Sequence, residues 1–283
     1  MKSLCNLIKE RLGGKGWRRF VIVAVVFLTT GLYFYNWGVP PVLSQSAISC
    51  LVDVAPPAAG QRVLVFSPHP DDETIGVGGY IAQSIRNGAD VRIVLVTNGN
   101  YHHQEAIRYA EFKKATGILG VSETSLVFLN FPDGSLRKIK QTVLGAALRE
   151  QIDQFHPDII IYPHPRDYNR DHAAIGKAVI DILESGHYNV TAYEYLVHYR
   201  LVWPRPRKFA PDLYLLPPEN LTGPGNQWAV FMLTPDVEKQ KQEAIFTYQS
   251  QLRNLWLNGL LLSSIRKNEL LAIPNISTGS RPQ

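Results

Sequence analysis

Two short stretches hold residues of the types and spacing that a metal-centred hydrolytic site needs. The first is Pro68-His-Pro-Asp-Asp-Glu73, where a histidine, two aspartates and a glutamate crowd together. The second is Pro163-His-Pro-Arg-Asp-Tyr-Asn-Arg-Asp-His172. Imidazole and carboxylate together suit Zn2+, and two or three such ligands with one position open make a catalytic site. His69, Asp72 and His172 supply two nitrogens and one carboxylate. Asp71 adjoins Asp72 and therefore points elsewhere, free to act as general base on an activated water. Each stretch alone has an ordinary reading. Asp and Glu favour the first turn of a helix through its dipole, and a single histidine after a strand is more often structural. Their joint presence is what points to a metal.

The elements around them explain how the two stretches meet. Nearly unbroken apolar runs at Arg62–Phe66, Val91–Thr97, Leu126–Leu129 and Asp158–Tyr162 read as strands buried on both faces of a parallel sheet. Helical patterns lie between them, near 74–87, 104–119 and 140–155, and again over 172–185. Strand-helix alternation predicts an α/β, Rossmann-like, doubly wound sheet, mostly parallel, with helices on both faces. In the common order 3-2-1-4 the first and fourth strands are neighbours where the order reverses, and ligands gather beyond their carboxyl ends. The two polar stretches, about a hundred residues apart, should therefore face one another. After residue 190, Tyr193–Tyr199 and Trp228–Leu233 read as further strands with an antiparallel character. A helix follows over 234–252, with Thr234 as N-cap and Pro235 at its first position.

The 283 residues are enough for a full core. The net charge of +5 is not a nucleic-acid surface. Of 29 basic and 24 acidic residues, six and one lie within 1–50, so 23 of each remain beyond, and that part is neutral. Phe20–Tyr35 contains no charge, and with Asn36–Val39 it approaches the ~20 residues of a bilayer span. Trp17, Tyr33, Tyr35 and Trp37 flank it, and all six tail cations precede it. The reading is a basic cytoplasmic tail (1–19), a transmembrane anchor (20–39), a linker (40–60), an extracytoplasmic domain (61–270) and a flexible tail (271–283). A cleaved signal peptide is the rival, though no small-x-small site follows closely. Cys5 and Cys50 fall on opposite sides of the span and cannot pair within one chain. No cysteine follows Cys50, so the domain has neither a disulfide nor a thiolate zinc site.

PHPDDETIGVGG (68–79) and DYNRDHAAIG (167–176) resemble the signatures of the LmbE-like, or PIG-L, family of zinc-dependent N-acetylglucosaminyl deacetylases. The resemblance runs over roughly 60–255. It includes RYAEFKKATGILGV at 108–121, FPDGSL at 131–136 and AIFTYQSQ at 244–251, in the family's order. It implies amide hydrolysis, with His69, Asp72 and His172 on zinc and Asp71 as general base. Arg108 and Asp133 match positions that contact the sugar; their bland readings are a surface ion pair and a Pro-Asp-Gly turn. One departure stands out. The family's second motif commonly reads H-x-D-H, its first histidine holding the oxyanion, and here Asn169 takes that place. Asp171 is expected to orient a ligand histidine. His164 could compensate for the lost imidazole, or be a structural or rim residue.

Asn169 is the best support for a different class, a membrane-anchored carbohydrate-binding protein with lapsed catalysis; the intact Asp71 opposes it. An O-acetyl esterase would use the same chemistry. A dinucleotide site at Gly76-Val-Gly-Gly79 is disfavoured, because acids precede the glycines and the spacing is not G-x-G-x-x-G. The expected partners are an N-acetylated sugar or glycan and the membrane, not nucleic acid.

Overall fold

The computed structural model describes residues 4–33, 43–101, 103–186, 188–199, 203–223 and 225–276, with side chains from Gly13 onward. The chain divides into two compact units, 1–41 and 42–283. The first contains helix α1 (Leu4–Tyr33), broken at Gly13 by φ 65° and ψ 167°. Its 21-residue stretch Gly13–Tyr33 is exposed and is long and apolar enough to cross a membrane; a signal sequence has the same properties. The expected span over 34–39 lies outside the described residues, as does the tail beyond Ile276.

The second unit is built on one eight-stranded sheet. Its strands are β1 (Val52–Asp53), β2 (Arg62–Ser67), β3 (Asp90–Thr97), β4 (Leu126–Phe131), β5 (Ile159–Pro163), β6 (Thr191–Tyr195), β7 (Gln227–Met232) and β8 (Asn268–Ile273). The order is β1-β7-β8-β6-β5-β2-β3-β4. All adjacent pairs are parallel except those made by β8, which runs antiparallel to both β6 and β7. Helices α2 (Asp72–Arg86), α3 (Glu105–Ile118) and α6 (Pro235–Ile245) cover one face; α4 (Gln141–Phe155) and α5 (Arg170–Ser185) cover the other. Strand alternation divides the core between them. Val63 and Val65 of β2 pack with Ile81, Phe112 and Ile245, while Leu64 and Phe66 pack with Leu148, Ile152 and Val179.

Three expectations are corrected. β6 is parallel to β5, so the switch to mixed pairing comes one strand later than Tyr193–Tyr199 indicated. The helix over 234–252 is two, α6 and the short α7 (Gln249–Leu252), because the chain turns at Tyr248 to bury that ring. Part of the linker is sheet: Val52 and Asp53 pair with Ala229 and Val230, and Gln45 exchanges hydrogen bonds with the backbone of Tyr214. β8 was not anticipated, and it carries the domain past residue 270 to Ile273.

α2 is the helix that begins at the metal-ligand candidates, and it is broken. Val77 has φ −143° and ψ 23°, outside the helical region. The groups freed by the break are met by one buried ion pair. Glu269 of β8 accepts from Gly79 N at 2.7 Å and Tyr80 N at 2.8 Å, acting as the cap of the second half. Lys241 of α6 donates to Ile75 O at 3.0 Å, closing the first half, and pairs with Glu269 at 2.6 Å. Gly76 sits where the break presses against Tyr195; a Cβ there would lie 2.3 Å from the ring. The Gly-rich run therefore serves close packing, and the amides of Gly79 and Tyr80 at its end are committed to an internal carboxylate. Removing one member of a buried pair typically costs about 3–5 kcal/mol. Glu269→Gln should lower the melting temperature of the detergent-solubilised protein by roughly 6–20 °C. A shift within the ±2 °C of a neutral surface substitution such as Glu150→Gln would contradict the role assigned to the pair.

Candidate active site

The turns after β2 and β5 face each other, as the reversal of strand order requires. They bring His69, Asp72 and His172 together. One oxygen, Asp72 Oδ2, lies 2.9 Å from both His69 Nδ1 and His172 Nε2, and those two nitrogens are 3.3 Å apart. All three side chains are buried. Two nitrogens held about 2.0–2.1 Å from a common tetrahedral centre are separated by roughly 3.3 Å, so this donor set fits zinc. The electrostatics agree. Burial works against the charged imidazole of His172, but Asp72 and Asp167 outweigh it and raise it to about 9. Burial likewise opposes a charge on His69, and the hydrogen bonds it donates to Asp133, Asp171 and Asp72 carry it well above its ordinary range. The cluster calls for positive charge at its centre, which is what a divalent cation provides.

The outer nitrogens are also held. His172 Nδ1 is 3.2 Å from Asp167 Oδ2, and His69 Nε2 is 3.2 Å from Asp133 Oδ1 and 3.4 Å from Asp171 Oδ2. Such partners fix the tautomer and the ring plane of a ligand histidine. Asp167 accepts from the amides of Asn169, Val197 and His198, and the imidazoles of His172 and His198 hold its carboxyl well below the usual range against the cost of burial. Asp171 accepts from Gly134 N at 2.7 Å and Leu136 N at 3.0 Å, so it also shapes the 131–136 loop that carries Asp133.

Asp71 stands apart from this set. It caps α2 with φ 150° and ψ −26°, a backbone state that costs a residue with a Cβ about 1–3 kcal/mol. The twist sends its carboxylate away from Asp72 and toward Arg108, 3.3 Å away. Burial pushes Asp71 up to about 8, although Arg108 pulls the other way. Arg108 also reaches Asp133 at 3.4 Å and the carbonyl of Pro70 at 3.1 Å, and among the described residues its Nε has no partner. Gly99, at φ 63°, lets β3 leave beside Pro70; a Cβ there would be 2.8 Å from the proline ring. Glu73 turns inward to a third destination. It accepts from Ser67 Oγ, Thr74 Oγ1 and Tyr248 Oη at 2.8, 2.6 and 2.6 Å. The AIFTYQSQ segment thus braces the turn, and Glu111 ties α3 to the same segment through Ser250 N.

A cavity of about 240 Å³ opens over these groups. Its lining includes His69, Asp71, Asp72, Arg108, Asp133, Asn169 and Gln251, but also residues with no motif to mark them: His198, Leu257, Leu260 and Leu261. Asn169 is the N-cap of α5, its Oδ1 accepting from Asp171 N at 2.9 Å, so its Nδ2 remains for a ligand. His198 follows β6. Its ring lies edge-on to His172, 4.9 Å between centroids, and its Nδ1 is 3.5 Å from Asp167 Oδ1. The loop at 101–103 contributes the exposed Tyr101 to the wall; His102 lies outside the described residues. His164 is elsewhere. It stacks on Trp228 at 5.8 Å, burial lowers it to about 4, and it faces a separate cavity of about 210 Å³.

Residues 64–183 match the family model described as PIG-L, GlcNAc-PI de-N-acetylase. The chain is 31% identical over 117 residues to a diacetylchitobiose deacetylase of Thermococcus kodakarensis, 37% of this chain and 41% of that protein. It is 30% identical over 141 residues to a probable N-acetyl-alpha-D-glucosaminyl L-malate deacetylase 2 of Bacillus anthracis, 44% of this chain and 59% of that one. The matched segments thus span about half the length of these relatives. The fold resembles that of N,N'-diacetylchitobiose deacetylase from Pyrococcus horikoshii, with a TM-score of 0.53 at 19% identity over 83% of this chain and 84% of the other. Residues 64–183 thus carry a match to the PIG-L (LmbE-like) family, and the relatives matched there are named as deacetylases.

Proposed function

We propose that the protein is a zinc-dependent deacetylase that hydrolyses the N-acetyl group of an N-acetylglucosamine-type sugar. The observation that carries this reading is the separation of two adjacent carboxylates. Asp72 joins His69 and His172 in a buried donor set, while Asp71 faces Arg108 along the same cavity. The relatives' names, deacetylases of acetylated amino sugars, support the same class.

His69, Asp72 and His172 would hold the zinc, which would supply Lewis acidity to a water and to the acetyl carbonyl. Asp71 removes a proton from the attacking water as its oxygen bonds to the acetyl carbon. Asp71 then returns that proton to the amine nitrogen as the carbon–nitrogen bond breaks, and the products are acetate and a free amino sugar. Arg108 and Asp133 position Asp71 and His69, and both line the cavity that would receive the sugar. A donor is still needed for the oxygen that gains negative charge. Asn169 Nδ2 and His198 are the candidates at the cavity wall. His198, set against Asp167, takes over the work of the imidazole that Asn169 replaces.

The zinc-loaded, detergent-solubilised full chain should release acetate from N-acetylglucosaminides. A chelator should stop it, and Asp71→Asn should slow it by about 10²–10⁴-fold while zinc content is unchanged. Release that is indifferent to both would rule out the mechanism. His198→Ala should lower kcat by roughly 10²–10³-fold with KM little altered, and adding Asn169→His should recover part of the loss. A His198→Ala enzyme with wild-type kcat would remove that residue from the chemistry.

The α1 stretch and the tail's basic residues support a single-pass anchor with the catalytic unit outside the cytoplasm, facing envelope glycans. Cys50 is free and exposed. A membrane-impermeant maleimide applied to intact spheroplasts should label Cys50 and spare Cys5. Labelling only after lysis would place the domain in the cytoplasm.

A further inference from the structure

The rim of the catalytic cavity carries an exposed apolar tip that the chemistry above leaves unused. Leu255 and Trp256 are 94% and 80% exposed, the most exposed large apolar side chains among the described residues of the sheet domain. They sit between α7 and α8 (Asn258–Ser263), directly before Leu257, Leu260 and Leu261, which line the cavity. A second loop lies against them. Arg207 donates to Trp256 O at 3.3 Å, and a Cβ on Gly259 would be 2.9 Å from Arg207 O. That loop, Trp203-Pro-Arg-Pro-Arg-Lys-Phe209, adds Arg205, Arg207, Lys208 and the half-exposed Phe209.

The charge around this tip has one sign. No Asp or Glu occurs in 195–211 or in 244–268; the first stretch carries Arg205, Arg207 and Lys208, the second carries Arg253, and Arg207 touches Trp256. The arrangement is also held in place. Arg266, fully buried, donates to Pro206 O at 2.7 Å and Ala210 O at 2.8 Å, so an internal guanidinium clasps the basic loop from beneath.

We propose that this rim docks on an anionic phospholipid surface, with Trp256 and Leu255 entering the headgroup region and the four cations meeting lipid phosphates. A tryptophan with an adjacent aliphatic side chain suits the interface between water and acyl chains. Lysine and arginine near an anionic leaflet each add an attraction that fades within a Debye length. A docked second copy would gain the apolar contact but would bring like charges together, and a sugar stacked on Trp256 would leave Leu255 and the cations without a role.

The test is an environment-sensitive nitrobenzoxadiazole label at Leu255→Cys, in a full-length chain carrying Cys5→Ser and Cys50→Ser, reconstituted into vesicles. A label at Val143→Cys, an exposed position on α4 across the sheet, serves as control. In vesicles with about a third phosphatidylglycerol, the Leu255 label should shift to the blue and be quenched by doxyl-lipids, and the Val143 label should not. The quenching should be lost in 1 M NaCl, where the Debye length is about 3 Å, in pure phosphatidylcholine vesicles, and in a Lys208→Gln/Arg253→Gln variant. A Leu255 label as water-exposed as the control overturns the proposal. So does quenching that ignores salt and lipid charge, and so does protection of the label by a second copy or by added sugar instead of by lipid.

Discussion

Three consecutive carboxylic acids at the end of a buried strand cannot share one environment, so each must find its own partner. That constraint organises this molecule. The backbone at Asp71 leaves the ordinary regions so that Asp71, Asp72 and Glu73 point three ways: to a guanidinium, to two imidazoles, and to two hydroxyls and a phenol. Charge repulsion that would otherwise oppose folding becomes a division of tasks. Asp72 joins the two imidazoles, Asp71 faces Arg108 along the same cavity, and Glu73 fastens the turn to the body of the domain.

The later part of the chain exists to hold that arrangement. Tyr248 reaches Glu73 from the segment between α6 and α7, and Lys241 and Glu269 close the two halves of broken α2. The break lets the first turn of α2 carry the ligands while the rest of the helix packs on the sheet beside β8. Asp167 and Asp171 do the corresponding work from the second stretch, each bonded to backbone amides on one side and set against His172 or His69 on the other. A catalytic group displaced by an ångström can lose much of its effect, and nearly every group here is fixed by two or more elements.

What the sequence made legible follows from where its signals were local. Unbroken Val/Ile/Leu runs gave the parallel half of the sheet, and the order of strands gave the meeting of His69 with His172. β8 was hidden because NELLAI contains a buried glutamate whose partner, Lys241, lies in a helix that reads as polar and solvent-facing. Tyr248 could not be read as a helix breaker, since nothing near it in sequence demands a turn; the demand comes from Glu73. His198 is likewise invisible, a lone histidine after a strand, and its position depends on Asp167 in a loop some thirty residues earlier. His164, which has the better motif, stacks on Trp228 in another cavity. Motif membership and cavity membership are set by different physics, one by chain proximity and one by the sheet.

The central claim is the division of roles among Asp71, Asp72 and Glu73, and zinc stoichiometry across single variants tests it most directly. Zinc content would be measured on folded, detergent-solubilised wild type, Asp71→Asn and Asp72→Asn after identical loading and dialysis. The division predicts one equivalent in wild type and Asp71→Asn and a large loss in Asp72→Asn. Zinc lost from Asp71→Asn, or fully retained by Asp72→Asn, would contradict it.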